Sequence, residues 1–176
     1  SFEVHNILTQ DNTKFIKKYD LVILRDVIEH IDLKYKEIFI GTVKNFLNEN
    51  GKILVTFPPY FSPFGLHQQA LMKSFLRKIP YLSLLPLSFI RILCRLFEDK
   101  EVLREIDEIV NSGMTISNFK SIIKCSDLQI YNEEYFSVRP SHEIRYGFKT
   151  KKTCFSKASS LRELFVLGAS YIIEKK

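Results

Sequence analysis

No stretch of the 176 residues reaches the ~18 to 20 uninterrupted apolar side chains of a membrane-spanning helix. The first ten residues lack a basic segment followed by an apolar run, so they do not read as a secretory signal. Cysteine is scarce. Cys94, Cys125 and Cys154 are odd in number and widely spaced. That excludes a C-x-x-C clamp, and it leads to the expectation of free thiols in a reducing, cytoplasmic setting rather than a disulfide. Internal repeats and low-complexity tracts are missing. Isolated histidines do not make a metal site, so none is expected.

What is present suits one α/β domain. The chain is 45% hydrophobic and 26% charged, with a formal net charge of +6. Lys and Arg are spread along the chain in short clusters such as Lys149, Lys151 and Lys152. A nucleic-acid binder gathers them on one face, so no nucleic-acid partner is expected.

Periodicity then divides the chain. FEVHNI, from residue 2 to 7, alternates apolar and polar side chains and reads as a short strand. DLVILRD, from 20 to 26, is a near-continuous apolar run closed by acids, the pattern of a strand buried on both faces. Ile38, Phe39, Val43, Phe46 and Leu47 repeat at helical spacing, with Asn50 and Gly51 as the expected stop. KILVTF follows as a second buried strand. Strand, helix and strand make a βαβ unit with parallel strands.

Beyond a loop with three prolines, residues 67 to 98 are rich in Leu, Ile and Phe, broken by Pro80 and Pro86. They read as two or three short helices of an insertion, and a charged helix follows over 99 to 111. This insertion, 67 to 112 in all, has three readings: a lid, plain core, or a membrane-surface element. Thr115 or Ser117 caps a further helix that ends near Ser126. LQIYNEEYFSV and the stretch from 144 to 148 read as strands, 157 to 165 as a short helix, and ASYIIEKK as a closing strand.

Ligands of parallel sheets bind at the carboxyl ends of the strands. Arg25, Asp26, Val27, Glu29 and His30 therefore sit where a ligand would. Asp26 is equally suited to capping the following turn, and Glu29 and His30 to structural hydrogen bonds. His67 follows a loop constrained by Pro63 and Gly65. Tyr60, Phe61 and Phe64 offer either an aromatic wall or packing. Arg139, His142 and Arg145 offer either an anion site or a solvated surface.

Tyr19-Asp20-Leu21-Val22, then Asp26-Val27-Ile28-Glu29-His30, then Phe46-Leu47 and Gly51-Lys52-Ile53-Leu54-Val55-Thr56-Phe57-Pro58 together resemble the fourth and fifth strands of class I S-adenosylmethionine-dependent methyltransferases. Ser62-Pro63-Phe64-Gly65-Leu66-His67 is similar to a loop after the fifth strand of some of these enzymes. The helix opened by Met114-Thr115 resembles the one before the sixth strand. The resemblance implies a Rossmann-like methyltransferase sheet of three α/β/α layers, with S-adenosylmethionine as cofactor and a small-molecule acceptor. It implies cofactor contacts from Asn6, Ile7, Arg25, Asp26, Val27 and His30. Catalytic roles fall to His30 and His67, and substrate contacts to Glu29, Tyr60, Phe64, His67, His142 and Arg145.

The family's glycine-rich G-x-G-x-G turn and the acid that ends its second strand have no counterpart among the 176 residues. In the family's sheet order, 3-2-1-4-5-7-6, strands 1 and 2 separate strand 3 from strand 4. Without them, residues 2 to 7 have no neighbour, and the strand at 20 to 26 exposes an apolar edge open to pairing with another chain. The chain is therefore expected to be an N-terminally incomplete piece of an enzyme, inactive alone and self-associating through that edge. Membrane contact is not expected. The alternative is a non-catalytic methyltransferase-like binding or assembly module.

Overall fold

The computed structural model describes residues 3–155 and 159–176. The side chains of Arg145, Tyr146, Ser159 and Ser160 lie outside the described residues, and so do the expectation placed on Arg145 and the first two residues of the helix expected over 157 to 165.

The expected βαβ unit is present. Strand β1 (Tyr19–Arg25) leads through two short 3-10 turns into helix α1 (Lys36–Phe46) and then strand β2 (Leu47–Phe57). The two strands run parallel, with Leu21 opposite Lys52 and Arg25 opposite Thr56. Three more strands complete the sheet: β3 (Leu128–Val138), the two-residue β4 (Lys151–Lys152) and β5 (Gly168–Lys175). The order is β1-β2-β5-β3-β4, and β5 lies antiparallel between β2 and β3. Its first four strands reproduce the 4-5-7-6 end of the order that the sequence motifs imply. The fold is a Rossmann-like α/β sheet.

The remaining helices are α2 (Gln68–Leu71), α3 (Leu87–Phe97), α4 (Lys100–Ser112), α5 (Ile116–Cys125), α6 (Pro140–Tyr146) and α7 (Ser159–Phe165). Helix α5 starts as expected at Thr115, whose hydroxyl accepts from the Asn118 N–H at 3.0 Å. Glu163 of α7 adds a second cap, accepting from the backbone N–H groups of Ile116 and Ser117 at 3.1 and 2.8 Å. Between them, Thr115 and Glu163 satisfy donors that a helix start leaves open.

Two apolar cores follow from the pattern. Ile53, Val55 and Phe57 alternate inward along β2 and meet Phe39, Ile40 and Val43 of α1 and Phe119 of α5. Each such fully buried side chain contributes ~1.5 to 3 kcal/mol. The insertion packs around a cluster of its own, which includes Leu66, Leu76, Ile90 and Ile106.

Several expectations need correction. Residues 3 to 6 form no strand. Asn6 instead begins a turn: its side chain accepts from the Leu8 N–H at 3.0 Å, and its carbonyl accepts from Thr9 and Gln10. Alternation without a neighbouring strand leaves the backbone to local bonds. Strand β1 is not buried on both faces. It is an edge, and Leu21 and Ile23 on its outer face are 52% and 57% exposed. Helix α1 does not run to Gly51. Its last carbonyls are taken by the N–H groups of Lys17 and Lys18, which bond Asn45 and Phe46 at 2.9 and 3.0 Å, so β2 starts at once. Residues 144 to 146 are helical, because Pro140 opens α6 and Gly147, at φ +73°, closes it.

Candidate functional site

Parallel pairing sends the ends of β1 and β2 to the same side of the sheet, and the loops that leave them meet. At the tip of β1 the chain turns sharply. Asp26 takes a left-handed conformation (φ +53°), and its N–H donates to the Thr56 carbonyl of β2 at 2.9 Å. The turn 28–30 follows and carries His30 outward. Past β2, the loop 58–66 ends at His67, also left-handed (φ +54°), whose carbonyl accepts from the Ala70 and Leu71 N–H groups of α2. Non-glycine residues hold such backbone only when their surroundings enforce it, and functional sites collect such positions.

The two turns bring the rings of His30 and His67 within 5.3 Å between centroids, edge to face. His30 is exposed and His67 half-buried. Burial, the neighbouring His30 and Arg139 together hold the His67 imidazole below its usual range, although Asp26 pulls the other way. A neutral imidazole of this kind accepts a proton at neutral pH.

Arg139, where β3 passes into α6, donates from Nη2 to Asp26 Oδ1. Its guanidinium side chain is only 16% exposed. The space for it comes from Gly168 at the start of β5: a Cβ there would sit 2.6 to 2.9 Å from Arg139 Cγ, Cδ and Nε. Asp26 is thus committed to an internal ion pair.

Glu29 faces inward. It is 4% exposed, and neither carboxylate oxygen has a hydrogen-bond partner among the described residues. Burial pushes its carboxyl up to about 7, with a smaller push from Asp26. Lys36, wholly buried, donates from Nζ to the Ile28 carbonyl, and burial brings its ammonium down to about 8.

The histidines separate two cavities of opposite character. One, of about 700 Å³, holds His30 and His67 together with the acids Asp32, Glu105 and Glu108. On the other side of His67 lies a smaller cavity of about 230 Å³, lined by Arg139, His142 and Phe64. It shares Phe64, Gln69, His142 and Leu167 with a cavity of about 810 Å³ that ends at Arg77 and Lys78. The two form one trough, and among the described residues no acid lines it.

The structure therefore brings together His30, His67, Phe64 and His142 of the expected site residues, with Asp26 joined to them through Arg139. Others fall elsewhere. Glu29 lines none of these cavities. Tyr60 packs against the core of the insertion, with its ring against Gly113, where a Cβ would come within 2.3 Å. Arg25 lines a cavity of about 390 Å³ on the outer face of the sheet. Asn6 is exposed and bonded to its own turn, Ile7 packs partly buried against the main core, and so does Val27. Arg77 and Lys78 were not expected. The signal available for them was a run from Asn50 to Phe97 with no acid and six Lys or Arg residues.

Among the described residues, no group of three or more His, Cys, Asp and Glu is placed to hold a metal. None of the helices described is long and apolar enough to cross a membrane.

No family model matches the chain, and no curated protein matches it. Solved structures do. A putative Zn-dependent alcohol dehydrogenase from Rhodobacter sphaeroides is 7% identical with a TM-score of 0.50, covering 99% of this chain and 65% of its own. The plantazolicin methyltransferase BpumL in complex with SAH is 12% identical with a TM-score of 0.44, covering 98% of this chain and 57% of its own. A SAM-dependent methyltransferase from Archaeoglobus fulgidus is 14% identical with a TM-score of 0.41, covering 92% of this chain and 61% of its own. These likenesses bear on the fold alone. The chain spans 57% to 65% of the length of those proteins.

Proposed function

We propose that this chain is the acceptor-binding side of an S-adenosylmethionine-dependent methyltransferase acting on a small molecule. The observation that carries the reading is the pairing of His30 and His67, 5.3 Å apart, over the carboxyl ends of two parallel strands. These are the strands whose residues carry the methyltransferase-like motifs.

The residues present fit the acceptor side and not the whole donor. The backbone cradle for the donor's methionine moiety needs closely spaced glycines, and the sequence holds no G-x-G-x-G. No chemical step through the donor is therefore derived. When bound, the donor supplies an activated methyl group. The chain's own residues perform the rest. The trough beside His67 binds and orients the acceptor, and placing reactants in this way lowers a barrier by up to ~7 to 11 kcal/mol. His67, kept neutral, receives the proton that the acceptor gives up. The Asp26–Arg139 pair fixes the turn between them.

In this reading the cradle is not supplied by these 176 residues, and the chain alone binds donor poorly. S-Adenosylhomocysteine titrated calorimetrically into the complete gene product and into residues 1–176 tests it. Binding to the first and little to the second is expected. A complete product without donor affinity overturns the proposal.

A second reading, a non-catalytic binding or assembly module, is favoured by the bare outer edge of β1. The outer backbone groups of that edge are open to another copy or another chain, and Leu21 and Ile23 add exposed apolar surface beside it. Sedimentation of residues 1–176 as a stable monomer counts against self-association through that edge.

A further inference from the structure

The trough that leads away from His67 changes character along its length. Near the histidine Pro58, Phe64 and Leu167 stand among Ser62, His142 and Arg139, the last already paired with Asp26, and farther along Arg77 and Lys78 join Val138 and Phe148. These two cations stand on the 3-10 turn Phe75–Lys78 of the insertion, whereas Val138 and Phe148 on the opposite wall come from the end of β3 and the segment after α6. The fold has thus brought a basic turn across an apolar channel.

Among the described residues, no acid is bonded to either cation at this end. The nearest acids along the chain, Glu98 and Asp99, are already engaged. Glu98 accepts from the Lys73 and Ser74 N–H groups at 3.0 Å each and from the Ser74 hydroxyl, and Asp99 pairs with Lys73 at 2.8 Å. Arg77 makes one long bond, from Nη2 to the Gln69 carbonyl at 3.3 Å. Lys78 has no bonded partner among the described residues. Gln68 keeps the turn against the trough: its buried amide donates to the Pro63 and Ile79 carbonyls at 3.2 and 3.0 Å, tying the loop 58–66 to the insertion.

We infer that Arg77 and Lys78 form an anion seat, so that the trough takes an apolar, aryl-sized body bearing a carboxylate or phosphate about one trough-length from its reactive end. Apolar walls with a few convergent polar groups are the general form of a small-molecule site. A guanidinium beside an ammonium is suited to an oxyanion. The contrast across His67 supports the assignment, because the cavity on its other side carries Asp32, Glu105 and Glu108 and would repel an anion. The inference deepens the acceptor-side reading above by naming the class of acceptor.

The test uses 2-naphthoate, 2-naphthyl phosphate and the neutral 2-naphthalenemethanol, each titrated calorimetrically into the chain at low salt. At least one anion is expected to bind about tenfold more tightly than the alcohol, since two exposed charge contacts are worth roughly 1.4 kcal/mol together. The preference should fall toward unity in Arg77→Ala/Lys78→Ala and at 1 M NaCl, where the screening length drops to about 3 Å. It should persist in Arg95→Ala/Lys100→Ala, which removes the same charge away from the trough. Equal binding of all three probes, or a preference that survives loss of Arg77 and Lys78, overturns the inference. Salt dependence of the unaltered chain decides the matter should the double variant misfold. Donor binding is read separately with S-adenosylhomocysteine, so failure of the methyltransferase proposal would leave this charge preference standing.

Discussion

Arg139 reaches from the end of β3 to Asp26 at the tip of β1, and Gly168 on the intervening β5 leaves the space it crosses. Three strands are therefore latched at one end of the sheet, beside the two histidines. Truncating Arg139→Ala leaves Asp26 without its partner and should lower stability by about 1 to 3 kcal/mol. Gly168→Ala should reach a similar loss by pushing the guanidinium side chain aside. Because both act through one contact, the double variant should be scarcely worse than either single one. Urea unfolding of the three variants checks this. Additive losses would show that Gly168 has another role.

Asp26 also holds a left-handed backbone, which costs an ordinary side chain roughly 1 to 2 kcal/mol and asparagine less. Asp26→Asn loses the charge and keeps the turn. Asp26→Ala loses both, and should unfold at lower urea than Asp26→Asn by about 1 kcal/mol of stability.

His67 titrates below its usual range in the folded chain. Below pH 6.5 the unfolded chain then binds more protons than the folded one, so stability declines as pH falls through this window and is fully present above it. His67→Asn, which tolerates the left-handed backbone, should flatten the decline below pH 6.5. Unfolding free energies at four or five pH values would show it, and an unchanged slope would assign the effect elsewhere.

The buried carboxyl of Glu29 produces the opposite slope. Its folded state keeps a proton up to about pH 7, while the unfolded chain loses it near 4.5. Stability from this group is present below pH 4.5 and is lost as pH rises to 7. Glu29→Gln mimics the protonated form. It should match the parent near pH 4.5 and exceed it at pH 8 by up to about 3 kcal/mol. Burial lowers the Lys36 ammonium to about 8, with Glu29 pulling the other way, so its penalty lies below that pH and is relieved as pH rises above it.

Gly113 precedes Met114, whose carbonyl accepts from the Tyr60 N–H at 2.8 Å. An added methyl would enter the Tyr60 ring, so Gly113→Ala should destabilise by about 1 to 3 kcal/mol. Tyr60→Leu in the same chain should recover part of it. Rescue would identify Tyr60 as a packing residue rather than an acceptor contact.

Periodicity and motif were sufficient where one element decides its own structure. The strands β1, β2, β3 and β5, the helix α1 and the Thr115 cap all appear over the residues that imply them, although α1 ends and β2 begins earlier than Asn50 and Gly51 suggest. A βαβ unit also fixes which strand ends face the same way, so Asp26, His30 and His67 could be grouped from sequence. Reasoning from pattern stopped where a partner elsewhere decides. Residues 3 to 6 alternate but have no strand beside them, and β1 is apolar but lies at an edge. Glu29 stands within an exposed-looking motif, and only the packing around it shows that it turns inward. Arg77 and Lys78 reach the trough because the fold sets the turn Phe75–Lys78 on the same cavity as Val138 and Phe148, which no local spacing encodes.

The central claim is that the paired histidines overlook a methyl donor and its acceptor. Calorimetric titration of S-adenosylhomocysteine into the protein encoded by the complete reading frame addresses it most directly. The account expects saturable binding there and little in residues 1–176 alone. A complete protein that carries no glycine-rich turn ahead of Ser1, or that releases no heat with this ligand, would contradict it.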